Sequence, residues 1–233
     1  MFFSQIESAL KALKNPEKID RFKRFFKTGP GQYGEGDEFF GLTLPQTHSI
    51  EQKYWQKVDL IDIKKLLIHP VHEFRTLAIM FLVRQFAKAD PPKQKQIYDF
   101  YLANTARINN WDLVDISAGK IVGVYLLDKP RDILYKLAKS KLVWDRRIAI
   151  ISTFAFIRVN QLKDTIKISE NLLKDKHDLI HKAVGWMLRE VGKRDLKTLT
   201  TFLDQHAPVM PRTALRYAIE KLPEPQRQHY LHL

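Results

Sequence analysis

Glu73-Phe-Arg-Thr-Leu-Ala-Ile79 is a pattern that returns four times further along the chain. The returns are Leu113-Val-Asp-Ile-Ser-Ala-Gly119, Asp145-Arg-Arg-Ile-Ala-Ile150, Ile180-His-Lys-Ala-Val-Gly-Trp186 and Met210-Pro-Arg-Thr-Ala-Leu-Arg216. Each sets a charged residue just ahead of a small one inside an apolar helix. The charged positions are Arg75, Asp115, Arg147, Lys182 and Arg212, at steps of 40, 32, 35 and 30 residues. Periods of roughly 30–45 residues without strands describe stacked helix pairs of HEAT or armadillo type. The charged positions fall near the starts of the second helices, which in such stacks line a concave side. The alternative is an irregular helical bundle whose segments are alike by accident.

The rest of the sequence reads the same way. Leu77, Met80, Phe81 and Phe86 recur at helical spacing, and so do Ile148, Ile151, Ala155 and Val159. Prolines stand between such segments, at Pro45, Pro70, Pro91-Pro92, Pro130, Pro208, Pro211, Pro223 and Pro225, because a proline inside a helix loses an N–H and clashes with the preceding turn. No useful stretch alternates as a strand does. Five of the nine glycines fall within Gly29–Gly41, which marks a long ordered loop. That loop has neither the Gly-Lys-Ser/Thr of a Walker loop nor a strand before it, so as a phosphate cradle it is weak. The expectation is an all-α chain forming a single domain over 1–233. Residues 1–50 supply N-terminal helices and the glycine-rich loop, and residues 51–233 supply HEAT-like helix pairs.

Composition narrows the function. The chain has 39 basic and 26 acidic residues, a net charge of +13. The excess is spread: seven basic against six acidic residues in 1–50, then ten against six in 51–110, nine against five in 111–160, and thirteen against nine in 161–233. Positive charge built evenly into a folded body points to a long polyanion, with a merely basic soluble protein as the alternative. There is no cysteine, which removes disulfides, thiolate metal sites and cysteine nucleophiles. The longest apolar run, Leu77–Val83, is seven residues, too short for a membrane helix. Met1–Leu10 carries Glu7 and no basic patch, so no signal peptide is expected and a cytoplasmic location is. The eight histidines form no HExxH. His177 and His181 stand four apart without an evident third ligand, so no metal and no cofactor are expected.

The tryptophans carry the remaining signal. Trp55 is expected to pack locally, and Trp144 to lie in the core. Trp111 and Asp115, four apart, share a helical face, where an indole plate beside a carboxylate can hold a cationic group. Spacing alone favours the plainer alternative, a core tryptophan with a surface or capping aspartate, and Asp112 is a cap candidate. Arg146-Arg147 just ahead of an apolar helix suits a phosphate. Lys182, Trp186, Arg189 and Lys193 put three cations around one indole. Either this is a solvated charged face or it is a nucleic-acid contact, since an indole left unburied forgoes roughly 1.5–3 kcal/mol.

With these segments in view, the chain resembles the bacterial DNA alkylation repair glycosylases built from HEAT-like repeats, the AlkD family. The resemblance rests on Arg24-Phe-Phe-Lys-Thr-Gly-Pro-Gly-Gln-Tyr-Gly-Glu-Gly-Asp37, Trp111-Asp-Leu-Val-Asp115, Trp144-Asp-Arg-Arg147 and Lys182-Ala-Val-Gly-Trp-Met-Leu-Arg-Glu190, which follow the family's order across most of the chain. It implies an all-helical solenoid with double-stranded DNA in a concave groove. It also implies release of positively charged alkylated purines, such as 3-methyladenine and 7-methylguanine, with the lesion left stacked. By this resemblance the catalytic carboxylate is Asp115, the groove tryptophans are Trp111 and Trp186, and the phosphate-holding arginine is Arg147 rather than Arg146. Lys182, Arg189, Lys193 and Arg212 would grip the backbone, with Arg146 beside them. Phe25 stands where characterised members have a tyrosine, so one hydroxyl contact to DNA is expected to be missing. A bacterial monomer, nucleoid-associated when bound, is implied. Two other classes fit the same residues: a non-catalytic relative that recognises bent, branched or damaged DNA, and a helical scaffold for an acidic protein.

Overall fold

A computed structural model describes residues Phe2–Leu233. Among the described residues every regular element is helical, apart from one isolated parallel bridge between Glu38 and Val71. The chain divides into two compact units, the first ending at Ser117 and the second starting at Ala118.

The first unit contains α1 (Phe3–Ala12), α2 (Pro16–Phe25), α3 (Leu44–Tyr54), α4 (Leu60–Leu67), α5 (His72–Lys88), α6 (Pro91–Leu102) and α7 (Trp111–Ser117). Side chains set the starts of these helices. Asn15 accepts the Glu17 N–H at 3.1 Å, Asp59 accepts the Asp62 N–H at 2.8 Å, and Asp90 accepts the Lys93 N–H at 3.0 Å. Pro16, Pro45, Pro91 and Pro92 lie in first turns rather than between helices, where the missing N–H has no partner to lose. α5 is the centre of the unit and packs against α1, α3, α4, α6 and α7. Phe74, Leu77, Ala78, Ile79, Phe81, Leu82 and Phe86 are all buried along it. A helix surrounded on all sides needs no polar face over its middle.

The second unit opens on a π turn, Gly119–Gly123, followed by α8 (Asp132–Leu137), α9 (Val143–Ser152), α10 (Phe154–Arg158), α11 (Lys163–Leu172), α12 (Asp178–Arg194), α13 (Leu196–His206), α14 (Arg212–Ala218) and α15 (Glu224–His232). The spacing of Ile148, Ile151, Ala155 and Val159 predicts one helix, but the chain breaks at Thr153 and Val159 is half exposed. The cause is local. The Ser152 hydroxyl donates to the Ile148 carbonyl at 2.6 Å and the Thr153 hydroxyl to the Ile150 carbonyl at 2.7 Å, which competes with the helical ladder.

The small residues that follow each recurring charge, Ala78, Ser117, Ala149, Ala183 and Ala214, are all buried. Their helices pack in order within each unit: α5 on α7 in the first, and α9 on α12 and α12 on α14 in the second. Gly185 marks a close approach of α12 to α14. A Cβ there would sit 2.4 Å from the Ala214 carbonyl oxygen and 2.5 Å from the Tyr217 Cβ. Gly185→Ala must therefore push α12 from α14. It is expected to lower stability by about 1–3 kcal/mol in urea denaturation, the usual cost of overpacking.

Candidate functional site

Residues from the glycine-rich loop, α5 and α7 meet in the first unit. The loop is held by a buried carboxylate: Glu73, in the first turn of α5, accepts the backbone N–H groups of Phe40, Gly41 and Leu42 at 3.1, 2.8 and 3.1 Å. Gly41 takes φ +83°, and a Cβ there would meet the Asn15 carbonyl oxygen at 2.2 Å, so this bend admits only glycine. Glu38 donates its N–H to the Pro70 carbonyl at 3.2 Å and accepts the His72 N–H at 2.8 Å.

This arrangement delivers Asp37 to the interior. Its carboxylate lies 2.6 Å from the buried Arg75 guanidinium and 3.5 Å from His72 Nδ1. His72 Nε2 is 2.8 Å from Asp112 on α7. Burial alone would push the His72 imidazole down, but the charge and hydrogen bond of Asp112, with the hydrogen bond to Asp37, outweigh it and raise the pKa to about 9. His72 is therefore an imidazolium at neutral pH. Burial lowers the Arg75 value, against the opposing charge of Asp37. Arg75 also donates to the His69 and Pro70 carbonyls at 2.9 and 3.0 Å.

Trp111 stands on this network. The Asn110 side chain, fully buried, accepts the Trp111 backbone N–H at 2.8 Å and reaches Asp37 at 3.4 Å. The Trp111 indole is half-buried, stacked on Phe26 at 5.7 Å and 26° and met by the edge of Phe25 at 5.5 Å and 70°. Phe25 itself is 58% exposed at the end of α2. Asp115 lies one turn on from Trp111 and is also half-buried, while Leu113, Val114 and Ser117 turn inward. Its charge reaches Tyr101, whose phenol is pushed upward chiefly by burial, against a hydrogen bond with Ser117 that lowers it. Trp111 is thus no core tryptophan. Asp112 is no cap, because it lies in the first turn of α7 with its carboxylate turned to His72.

In the second unit the paired arginines part company. Helix α9 starts at Val143, so Arg146 and Arg147 lie inside it rather than ahead of it. Arg147 is buried and donates to the Leu179 carbonyl in the first turn of α12. Arg146 pairs with Asp175 at 2.5 Å and donates to the Ser140 and Lys141 carbonyls at 2.9 and 3.0 Å. Trp144 is core. Trp186 is half-buried and tilted on Phe154 at 6.2 Å. The cations beside it have carboxylate partners: Lys182 with Asp178 at 2.6 Å, Lys193 with Glu190 at 2.6 Å, and Arg189 with Glu220. Arg212, exposed at the start of α14, donates to the Leu231 carbonyl at 2.8 Å. The Trp55 ring lies under the Arg84 guanidinium at 4.7 Å. His177 caps α12 by accepting the Leu179 N–H at 3.2 Å, and His181 Nε2 lies 2.5 Å from the Asp175 carbonyl oxygen. Among the described residues no group of three or more His, Cys, Asp or Glu is placed to hold a metal, and no helix is long and apolar enough to cross a membrane.

Comparison with known proteins bears on this set. A family model described as "DNA alkylation repair enzyme" matches residues 6–222. The chain belongs to that family. Its fold is similar to a structure from Enterococcus faecalis described as a predicted DNA alkylation repair enzyme, with a TM-score of 0.71 and 16% identity over 91% of this chain and 97% of that one. It is also similar to AlkD2 from Streptococcus mutans, with a TM-score of 0.56 and 16% identity over 89% of this chain and 98% of that one. A search of curated protein sequences found no match.

Asp37, His72 and Glu73 do not stand out in sequence reasoning. Asp37 ends the quoted glycine-rich motif and Arg75 marks the repeat, yet only the fold shows that the two pair. Asp37→Asn leaves Arg75 and His72 buried without one of their two carboxylates. It is expected to lower stability by about 3–5 kcal/mol, measured by urea denaturation at pH 7.

Proposed function

We propose that the chain is a DNA N-glycosylase that removes positively charged alkylated purines, 3-methyladenine and 7-methylguanine, from double-stranded DNA bound in the concave groove of a helical-repeat solenoid. The observation that carries the reading is the half-buried face of α7, where a seated indole and a carboxylate stand one turn apart. Membership of the DNA alkylation repair enzyme family supports a DNA substrate.

The chemistry asks little acid of the protein. An N-alkylated purine is cationic and leaves with its bonding electrons as a neutral base, so no protonation is needed. What must be stabilised is the sugar as it becomes oxocarbenium-like. Asp115 supplies negative charge to that sugar and positions the attacking water. Trp111 presses its π face on the deoxyribose, and Trp186 does the same for the flanking backbone. No step requires the base to enter a pocket, and the lesion stays stacked.

The backbone contacts come from the basic residues, which must first release their present partners. For Arg147 to hold a phosphate, its guanidinium exchanges the Leu179 carbonyl for a phosphate oxygen. Lys182, Arg189 and Lys193 likewise leave Asp178, Glu220 and Glu190. Phe25, beside Trp111, offers apolar contact without a hydroxyl donor.

Incubation with duplexes carrying 7-methylguanine or 3-methyladenine should release free base. Asp115→Asn should slow that release about 100-fold or more under single-turnover conditions, with DNA affinity within about three-fold of the parent. DNA binding with no base release by the parent protein would leave the non-catalytic relative, a binder of bent or branched DNA, as the reading. DNA affinity should also fall linearly in log–log form with salt, across several phosphates, and a flat response would leave the scaffold for an acidic protein.

A further inference from the structure

The base-release chemistry makes no use of the charge cluster buried beneath α7, although that cluster reaches Trp111 by three routes. Asp112, bonded to His72 at 2.8 Å, directly follows Trp111 in the chain. Phe26, which stacks on the indole, also packs on the His72 ring at 4.7 Å. Asn110, which accepts the Trp111 backbone N–H, touches Asp37, and Asp37 faces His72 Nδ1. We propose that His72 is a positioning residue for base excision: held between Asp37 and Asp112, it fixes the first turn of α7, and with it the seat of Trp111 and the bearing of Asp115 one turn on. This rests on the glycosylase reading above.

The groups facing His72 come from each element packed around it. Asp37 and Phe39 come from the loop, Phe26 from the end of α2, Arg75 from α5 and Asp112 from α7. As an imidazolium, His72 gives its Nε2–H to Asp112, while Nδ1 lies 3.5 Å from Asp37 and 3.3 Å from the Arg75 guanidinium. When the proton leaves, Asp37 keeps Arg75 at 2.6 Å. Asp112 loses its hydrogen-bonded cation and keeps only the more distant charge of Arg75, and its Oδ1 is already buried without a hydrogen-bond partner. A half-buried carboxylate that loses its bonded cation is left poorly compensated, so Asp112 turns further toward solvent and the first turn of α7 moves with it. Since the folded-state pKa of about 9 lies above the ordinary 6.5, the stabilising effect is complete below pH 6.5 and is lost as pH rises through about 9.

The test follows single-turnover release of 7-methylguanine between about pH 6 and pH 10 in the parent, His72→Gln and Asp112→Asn proteins. In parallel, NMR follows the indole N–H of Trp111, assigned by its absence from Trp111→Phe. In the parent, rate and resonance should change together with a midpoint near 9. Asp112→Asn removes the main upward influence on His72, so both midpoints should move down by about one pH unit or more. His72→Gln should release base about ten-fold more slowly at pH 7.5, lack the alkaline limb and hold a constant indole resonance, with affinity for undamaged DNA little changed. A merely structural role would not move the midpoints. If His72→Gln keeps the parent rate and limb, or if the parent indole resonance is constant through pH 9, the proposal is overturned. If the parent releases no base at any pH, the glycosylase reading fails, while the resonance titration of the parent alone still decides whether His72 seats Trp111.

Discussion

Two cations, Arg75 and His72, are buried at the start of α5, and the architecture of the first unit follows from what they require. Neither can leave water without an anionic partner close enough to compensate. Asp37 is that partner for Arg75, and it comes from a loop rather than a helix. A loop that brings a carboxylate into the interior must satisfy its own backbone on the way. Glu73 does this by accepting three successive N–H groups where the loop returns to α3. Adjacent residues at one helix start thus have complementary tasks: Glu73 holds the loop, and Arg75 holds the acid that the loop carries. The glycines between residues 29 and 41 belong to the same requirement, since the chain must turn sharply to deliver Asp37 and then leave.

That interdependence explains which parts of the molecule could be read from sequence. The helices were legible because burial imposes a period that local sequence displays, and the recurring small residues were legible because close packing demands them wherever two helix axes approach. Gly185 shows the link directly: the Ala214 carbonyl occupies the space a side chain would need. The pairing of Asp37 with Arg75 was not legible, since 38 residues separate them and nothing local distinguishes a buried arginine from a surface one. The break at Thr153 was missed for a different reason. Hydrophobic period continues through it, and only the hydroxyl bonds to preceding carbonyls end the helix.

The candidate site divides along the same line. Spacing put Trp111 and Asp115 on one face of a helix, and both are half-buried there. Spacing said nothing of what stands behind them, because Phe26, Asn110 and His72 arrive from three separate segments. The basic residues were harder to read. Their positions were plain, but their electrostatic state was not, since each partner lies on a neighbouring turn or a neighbouring helix. Lys182, Arg189 and Lys193 form ion pairs, and partly exposed pairs of this kind contribute little to stability. Little stability would therefore be lost if another anion took the place of the carboxylate.

Arg147 is the exception, and its burial separates two ways of using a cation. An exposed lysine trades one hydrated partner for another and adds to affinity without regard to sequence. A buried arginine bonded to the Leu179 carbonyl instead ties α9 to the first turn of α12, the helix that also carries Trp186. Any force that draws its guanidinium outward acts on that turn, and His72 is bonded in the same way to Asp112 in the first turn of α7. In each unit, then, an indole rides on a helix whose first turn is held by a buried cation. Such a platform can be rigid in the free protein and still respond when the charge beneath it changes.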